Sequence, residues 1–209
     1  MSLSRPNLME SLRMLLEDRV AAIRADAEVR CDHSAGPPSA IMPGSFNPVH
    51  DGHLQLARVA ASLLAAPVAF ELSAINVDKP SLTADDVRRR LSTFPKEAAV
   101  WLTRAPTFVD KARLFPKAVF VVGADTAARI VAPRYYPGGD SALQAALAEI
   151  RSLGCRFLVA GRTGDSGKFL ELCDLPMPSG AIDLFTAIPR SLFQSDLSST
   201  SIRARHCQS

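Results

Sequence analysis

The sequence predicts an α/β fold in which helices cover both faces of a parallel β-sheet. From residue 39 onward, short apolar runs of strand length alternate with longer amphipathic segments of helical length, an order typical of parallel sheets. Of the 209 residues, 47% are hydrophobic and 22% are charged, as expected of a globular protein. This length fits one domain with a sizeable core.

The N-terminal part has a different pattern. Apolar residues recur at helical spacing from residue 7 to residue 29 and predict one amphipathic helix. A segment rich in Gly, Pro and Ser follows at 32–39 and predicts a linker. We therefore expect an N-terminal helical extension with its linker over residues 1–38, and the main domain over residues 39–209.

In the main domain, the apolar runs predict strands at 40–42, 68–75, 98–102, 118–122 and 156–159. The amphipathic segments predict helices at 52–65, 84–94, 107–114, 126–131 and 141–153. In such Rossmann-like sheets, ligands bind beyond the carboxyl ends of the strands, where the strand order reverses. Motifs that directly follow a strand are therefore candidates for a functional site.

Bulk properties exclude several classes of protein. The net charge of +3 is too small to indicate nucleic acid as the main partner, and it suits an anionic small molecule. No apolar stretch reaches the length that spans a bilayer, and the N-terminus lacks the pattern of a signal peptide. The cysteines form no CxxC pair, which predicts reduced thiols rather than a zinc site. We expect a cytoplasmic protein without a resident metal.

The segment GRTGDSGK at 161–168 is partly similar to a phosphate-binding P-loop. That pattern requires Gly at position 162 and Ser or Thr at position 169, where this chain has Arg162 and Phe169. We predict a glycine-rich surface loop instead.

The segment PGSFNPVHDGH at 43–53 joins the first strand of the main domain to its first helix. Asp51 is expected to cap the helix, so that His50 lies just before it and His53 in its first turn. Free N–H groups and the positive end of the helix dipole point to the same place, which favours an anion site. A metal site would need a third ligand, and the sequence nearby offers none of the right kind. The remaining alternative is a pair of histidines with a purely structural role.

GSFNPVHDGH resembles the signature of the HxGH nucleotidyltransferase superfamily, and within it the form found in nicotinamide and nicotinate mononucleotide adenylyltransferases. The resemblance implies that His50 and His53 are catalytic and contact the α- and β-phosphates. It also implies that Gly44, Ser45, Phe46 and Gly52 contribute to ATP binding.

A second motif, LSSTSIR at 197–203, begins as a capped helix would, and taken alone it predicts only that. It is similar to the ISSTxIR motif with which these enzymes hold the triphosphate. The resemblance implies ATP binding by Ser198, Ser199 and Thr200, and a catalytic role for Arg203.

Two further segments resemble motifs of the family, and NVDKP at 76–80 stands where relatives have a substrate-side His-Lys pair. Gly123 and Asp125 match the GxD motif that contacts the adenosine ribose, although Asp125 could equally be a helix cap. The stretch PTFVDK at 106–111 matches the segment that lies against the mononucleotide. The implied acceptor-binding residues are Lys79, Arg90, Thr107, Phe108 and Tyr135. The tryptophan that usually stacks on the pyridine ring is absent; Tyr135 or Tyr136 is a candidate substitute, and Trp101 is expected in the core.

The resemblance implies transfer of AMP from ATP to a pyridine mononucleotide, with Mg²⁺ arriving on ATP and pyrophosphate released. Lys79 and Lys111 are candidate donors near the pyridine ring. Three alternatives stay open: the same chemistry on another phosphorylated acceptor, a nucleotide-binding module without turnover, and a scaffold protein whose N-terminal helix binds a partner. The choice between nicotinamide and nicotinate, and assembly into a homo-oligomer, are also left open.

Overall fold

The strands of the molecule form one large sheet and a small hairpin in a computed structural model, which describes residues 7–75, 81–163 and 169–194. The helices are α1 (Leu8–Leu16), α2 (Asp51–Leu64), α3 (Ala84–Leu91), α4 (Phe108–Leu114), α5 (Ala124–Ile130) and α6 (Gly139–Ser152). The strands are β1 (Ala22–Ala25), β2 (Cys31–Asp32), β3 (Ala40–Pro43), β4 (Val68–Ser73), β5 (Val100–Thr103), β6 (Val119–Gly123), β7 (Arg156–Ala160), β8 (Arg162–Thr163), β9 (Phe169–Leu170) and β10 (Phe185–Ile188). Short 3-10 helices lie at Pro133–Tyr135, Leu172–Asp174 and Ile182–Leu184.

The large sheet has the strand order β10-β7-β6-β3-β4-β5-β1-β2, and β8 pairs with β9 in the hairpin. The six strands from β10 to β5 are parallel, whereas β1 runs antiparallel to β5 and β2 antiparallel to β1. Numbered along the chain from β3, the parallel strands stand in the order 3-2-1-4-5-6 of the Rossmann fold. The predicted fold class is confirmed.

Helices cover both faces because neighbouring residues of each buried strand point to opposite sides. On β3, Met42 packs with the buried side chains of α1, α2 and α3, and Ile41 packs with those of α4, α5 and α6. Strands β3 and β6, at the centre of the sheet, are apolar on both faces, as is typical of parallel strands between two helical layers. Trp101 is 6% exposed and packs edge-on against Phe115, so its predicted place in the core is confirmed.

The N-terminal helix is shorter than predicted. The expectation of one helix over residues 7–29 is wrong beyond Leu16, where the chain turns through Asp18 with a φ of 62°. Residues 22–25 then form β1 along β5, the outermost of the parallel strands on that side, and bury Ile23 and Ala25. Because a short apolar run satisfies helical and strand spacing equally, the sheet edge that it completes decides its structure.

The predicted strands and helices of the main domain are all present, with ends displaced by one to three residues. Two details differ. Helical spacing in the sequence predicts Leu63 on the same apolar face of α2 as Leu56 and Ala60. Leu63 is instead 45% exposed, and the buried face is formed by Gly52, Leu56, Ala57 and Ala60. Strands β8, β9 and β10 were not predicted, since their runs are short. None of the helices within the described ranges combines the length and apolar character needed to cross a membrane.

Candidate functional site at the strand-order reversal

The strand order reverses between β3 and β6, which lie side by side and lead to helices on opposite faces of the sheet. The chain leaves β3 at Pro43 and enters the loop that leads to α2. It leaves β6 at Gly123 and enters α5 directly. The two segments that the sequence singled out therefore flank the crevice where sheets of this kind bind ligands.

The loop after β3 is supported from beneath by Phe46. Phe46 has a φ of 40° and is 1% exposed, and its ring packs edge-on against Phe70, Phe94 and His53. A Cβ on Gly44 would lie 2.7–3.0 Å from atoms of the Phe46 ring. Gly44 thus has a packing role, and its implied contribution to ATP binding stays a prediction. The Phe46 side chain belongs to the core and holds His53 in place.

Arginines of α3 hold the same loop from the side. Arg89 donates to Oδ1 of Asn47 at 2.7 Å, and Arg90 donates to the carbonyl of Ser45 at 2.7 Å. Arg90, predicted to bind the acceptor, thus has a bond to the loop that carries the histidines. The backbone N–H of Val49 adds a bond to Oγ1 of Thr93 at 3.3 Å.

The two histidines meet at the start of α2. His50 is the N-cap, with extended backbone, and Asp51 is the first helical residue, so the prediction that Asp51 is the cap is wrong. The imidazole rings stack at 3.7 Å between centroids with 30° between their planes. The N–H of His50 donates to Nδ1 of His53 at 3.3 Å. Because Nδ1 accepts, the proton of a neutral His53 ring resides on Nε2, which remains a donor.

Both imidazoles are neutral at pH 7. Burial lowers the pKa of His53 to about 3, and the nearby His50 and Arg162 act in the same direction. Burial and Arg162 also lower the pKa of His50, against an opposing effect of Asp51. Neutral imidazoles can serve as hydrogen-bond donors, whereas Arg162 and the N-terminus of α2 carry the positive charge.

Arg162 is the site residue that sequence reasoning missed. It follows β7, the neighbour of β6, and its Nη1 lies 3.2 Å from Oδ2 of Asp125. A Cβ on the preceding Gly161 would lie 2.7 Å from the Phe169 ring, so glycine lets the β8–β9 hairpin pack closely there. The available signal was an arginine just beyond the carboxyl end of a parallel strand. A comparison of residues 161–168 with a P-loop gives no role to Arg162. Residues 164–168 lie outside the described part of the chain.

Asp125 lies in the first turn of α5, on the other side of the strand-order reversal from the histidines. The alternative that it caps the helix is wrong, because Gly123 is the N-cap. A Cβ on Gly123 would lie 2.8 Å from Oδ1 of Asp125, so the glycine lets this carboxylate fold back towards the end of β6. The Asp125 side chain is 47% exposed and can accept from a ligand.

Three of the predicted acceptor-binding residues lie beyond the carboxyl end of β5 or beyond α5. Thr107 is the N-cap of α4 and forms a capping box with Asp110. Phe108 is half-buried, with its ring against Phe120 and Phe157. Tyr135 is 52% exposed in a 3-10 turn after α5.

The prediction that Lys111 is a donor near the pyridine ring is wrong. Instead of reaching a pyridine ring, its Nζ is buried and donates to Glu71 at 2.9 Å. Lys79, Ser198, Ser199, Thr200 and Arg203, all predicted site residues, lie outside the described residues. In the described part of the chain, no three His, Cys, Asp or Glu side chains cluster as metal ligands.

Comparison with known proteins shows the family to which the chain belongs. A family model described as cytidylyltransferase-like matches residues 41–205, well over half of the chain. A probable nicotinate-nucleotide adenylyltransferase from Gluconacetobacter diazotrophicus is 35% identical over a stretch that covers 35% of this chain and 50% of that relative. The chain thus spans about half the length of this curated relative. Since the matched residues contain both flanks of the strand-order reversal, the chain belongs to the cytidylyltransferase-like family of the HxGH nucleotidyltransferase superfamily.

Proposed function

We propose that this chain is an adenylyltransferase that joins the AMP part of ATP to nicotinamide or nicotinate mononucleotide and releases pyrophosphate. The observation that carries the proposal is the convergence, at the strand-order reversal, of the two stacked imidazoles with the Arg162–Asp125 pair. The printed name of the Gluconacetobacter relative supports a pyridine mononucleotide as the acceptor.

The proposed reaction is an in-line displacement at the α-phosphorus of ATP. An oxygen of the acceptor 5′-phosphate forms the new bond to this phosphorus, and the bond to the β-phosphate oxygen breaks. Because the second pKa of a phosphate monoester is about 6, the nucleophile is ionised at pH 7 and needs no general base. The protein must position two polyanions and stabilise the charge that develops on the transferring phosphate and the leaving pyrophosphate.

The described residues suit these tasks. Neutral His53 presents the Nε2–H donor, with its Nδ1 fixed by the backbone of His50. Asp125 is placed to accept from ribose hydroxyls, but its present partner is Arg162. Ribose binding at Asp125 would compete with that ion pair and free the guanidinium for a phosphate, which the planar fork of arginine fits well.

The remaining ligand contacts are part of the same proposal. Mg²⁺ would come with ATP, bound mainly by phosphate oxygens and water. Ser198, Ser199, Thr200 and Arg203 would hold the β- and γ-phosphates. Changing Arg203 to Lys keeps the charge but loses the bidentate geometry, so this variant should use ATP clearly less well than the wild type. Unchanged ATP kinetics in both Arg203→Lys and Arg203→Ala would leave the motif at 197–203 as a capped helix only.

A second candidate is the same displacement with CTP or with another phosphorylated acceptor. The description of the matching family as cytidylyltransferase-like favours it. The deciding experiment measures pyrophosphate release with ATP and with CTP. The acceptors are nicotinamide mononucleotide, nicotinate mononucleotide, phosphopantetheine and phospho-alcohols. Turnover confined to CTP or to a non-pyridine acceptor would replace the proposal by this second candidate, and no turnover would leave a nucleotide-binding module.

A further inference from the structure

A buried ionic cluster lies beneath the carboxyl ends of β4 and β5. Nζ of Lys111, on α4, donates to Oε1 of Glu71, on β4, at 2.9 Å. The hydroxyl of Thr103, the last residue of β5, donates to the same carboxylate oxygen at 2.5 Å. The side chains of Lys111 and Glu71 are only 7% and 1% exposed, and Thr103 is fully buried.

A buried ion pair contributes little net stability to a core. The free energy needed to remove two charges from water offsets much of the free energy gained from their attraction. Apolar residues of similar size are often at least as stabilising. Stability alone is therefore a weak reason for a lysine and a glutamate at this place. The geometry of the Lys111 ammonium group gives a stronger reason, because it bonds to more than the carboxylate.

The third partner of the cluster is the loop between β5 and α4. Lys111 Nζ donates to the carbonyl of Ala105 at 2.5 Å, and the N–H of Ala105 donates to Oγ1 of Thr103 at 3.2 Å. Two residues later, Thr107 closes its capping box with Asp110. The loop over residues 104–107 is thus held at both polar groups of Ala105, and one of the two bonds comes from Lys111.

Glu71 links this loop to the other side of the crevice. Its backbone carbonyl accepts from the N–H of Gly44 at 2.9 Å, at the start of the loop that carries the histidines. Its side chain holds Lys111 and Thr103. One strand residue therefore ties the backbone before the His pair to the backbone before Thr107.

We propose that Lys111 is a positioning residue for the acceptor: through Ala105 it fixes the 104–107 loop, and through Glu71 it keeps that loop in register with the histidine loop. This inference rests on the proposed function, in which residues of this loop lie against the mononucleotide. It assigns Lys111 an effect on acceptor binding without contact to the acceptor.

The test compares three variants with the wild type: Lys111→Met, the double variant Glu71→Gln with Lys111→Met, and Arg113→Met. Arg113 is the matched control, since it lies on the same helix and pairs on the exposed side with Glu149 at 2.6 Å and with Oδ1 of Asp110 at 3.3 Å. Asp110 keeps its capping bond to Thr107 through its other oxygen, Oδ2. KM for nicotinate mononucleotide, KM for ATP, kcat and the melting temperature are measured for each. Calorimetric titration with nicotinate mononucleotide gives the acceptor Kd without turnover.

Lys111→Met should raise the acceptor KM and Kd by roughly tenfold, the scale for one lost charged hydrogen bond, with the ATP KM within twofold of the wild type. It should also lower the melting temperature, because Glu71 is left as an unpaired buried charge. The double variant removes that charge and should regain most of the melting temperature, while its acceptor Kd stays raised. Arg113→Met should change none of the acceptor constants.

Recovery of the acceptor Kd together with the melting temperature in the double variant would show that Lys111 acts only on stability and would overturn the inference. Equal changes in the ATP and acceptor constants, or no change in either, would also overturn it. Failure of the proposed function is seen separately, as a wild type that turns over no mononucleotide. In that case, the Kd values of the wild type and the variants for nicotinate mononucleotide test the role of Lys111. A wild type that does not bind nicotinate mononucleotide defeats both proposals.

Discussion

Replacing His53 by alanine tests the central claim about the site. The residue lies in the first turn of α2, with Nδ1 bonded to the backbone of His50 and its ring against Phe46. Its pKa of about 3 means that the ring lost in the variant is neutral at pH 7. The substitution therefore removes one oriented Nε2–H donor and leaves the net charge of the site unchanged.

The expected effects on catalysis and stability differ in size. Loss of one pre-organised donor lowers kcat by roughly 10²–10³-fold. The edge contact between His53 and Phe46, at 5.0 Å, contributes about 0.5–1.5 kcal/mol to the free energy of unfolding. The long bond to Nδ1 adds about 0.5 kcal/mol. A total of about 1–2 kcal/mol lowers the melting temperature of a chain of this size by roughly 2–8 °C.

The assay is steady-state pyrophosphate release with ATP and the best acceptor, beside a thermal melt of each variant. His33→Ala is the control, because His33 bonds to Ser11 at 2.9 Å, where α1 packs near β2. It should lose stability on a similar scale and keep its kcat. If His53→Ala retains kcat within threefold of the wild type, the donor role is refuted. A fall of equal size in His33→Ala would attribute the loss to the fold.

Three further predictions follow from the same geometry. Gly44→Ala brings a Cβ against the Phe46 ring and should lower the free energy of unfolding by about 1–3 kcal/mol in denaturant titrations; an unchanged midpoint would show that the ring can yield. Arg162→Ala should lower kcat/KM for ATP roughly 10- to 100-fold, whereas Arg156→Ala, at the opposite end of β7, should not; equal effects would remove Arg162 from the site. Since the pKa of His53 is about 3 when folded and 6.5 unfolded, the unfolded chain binds more protons between these values and stability falls as pH drops from 6.5 towards 3. His53→Asn should flatten that dependence by up to about 1.4 kcal/mol per pH unit, and an unchanged slope would contradict the low pKa.

The sequence predicted the centre of the fold well because its signals there are local. Each central parallel strand is an apolar run, and the motif between residues 43 and 53 places turn residues, histidines and a helix start in one segment. Residues His50 and His53 could be paired from spacing alone, since three positions in a helix start bring side chains together. The structure changed which residue caps the helix, and it showed that Phe46 belongs to the core.

Contacts between distant segments explain what the sequence could not show. Residues 22–25 become a strand because β5 offers them an open edge. Their partners on β5, such as Trp101 for Arg24, lie about 78 residues later in the chain. The environment of Lys111 depends on Glu71, forty positions away. No periodicity within either segment carries that information.

The neutrality of the histidines is the clearest case in which the fold sets the chemistry. In the sequence, a pair of imidazoles beside a helix N-terminus suggests two cations for a polyanion. In the structure, burial against Phe46 and the nearby guanidinium of Arg162 keep the rings neutral, and they become oriented donors. The positive charge is placed on a residue from another strand, whose present partner is Asp125. In the proposed function, a ribose that displaces that carboxylate would free donors of the guanidinium for a phosphate, which would couple recognition of the nucleoside to stabilisation of its phosphates.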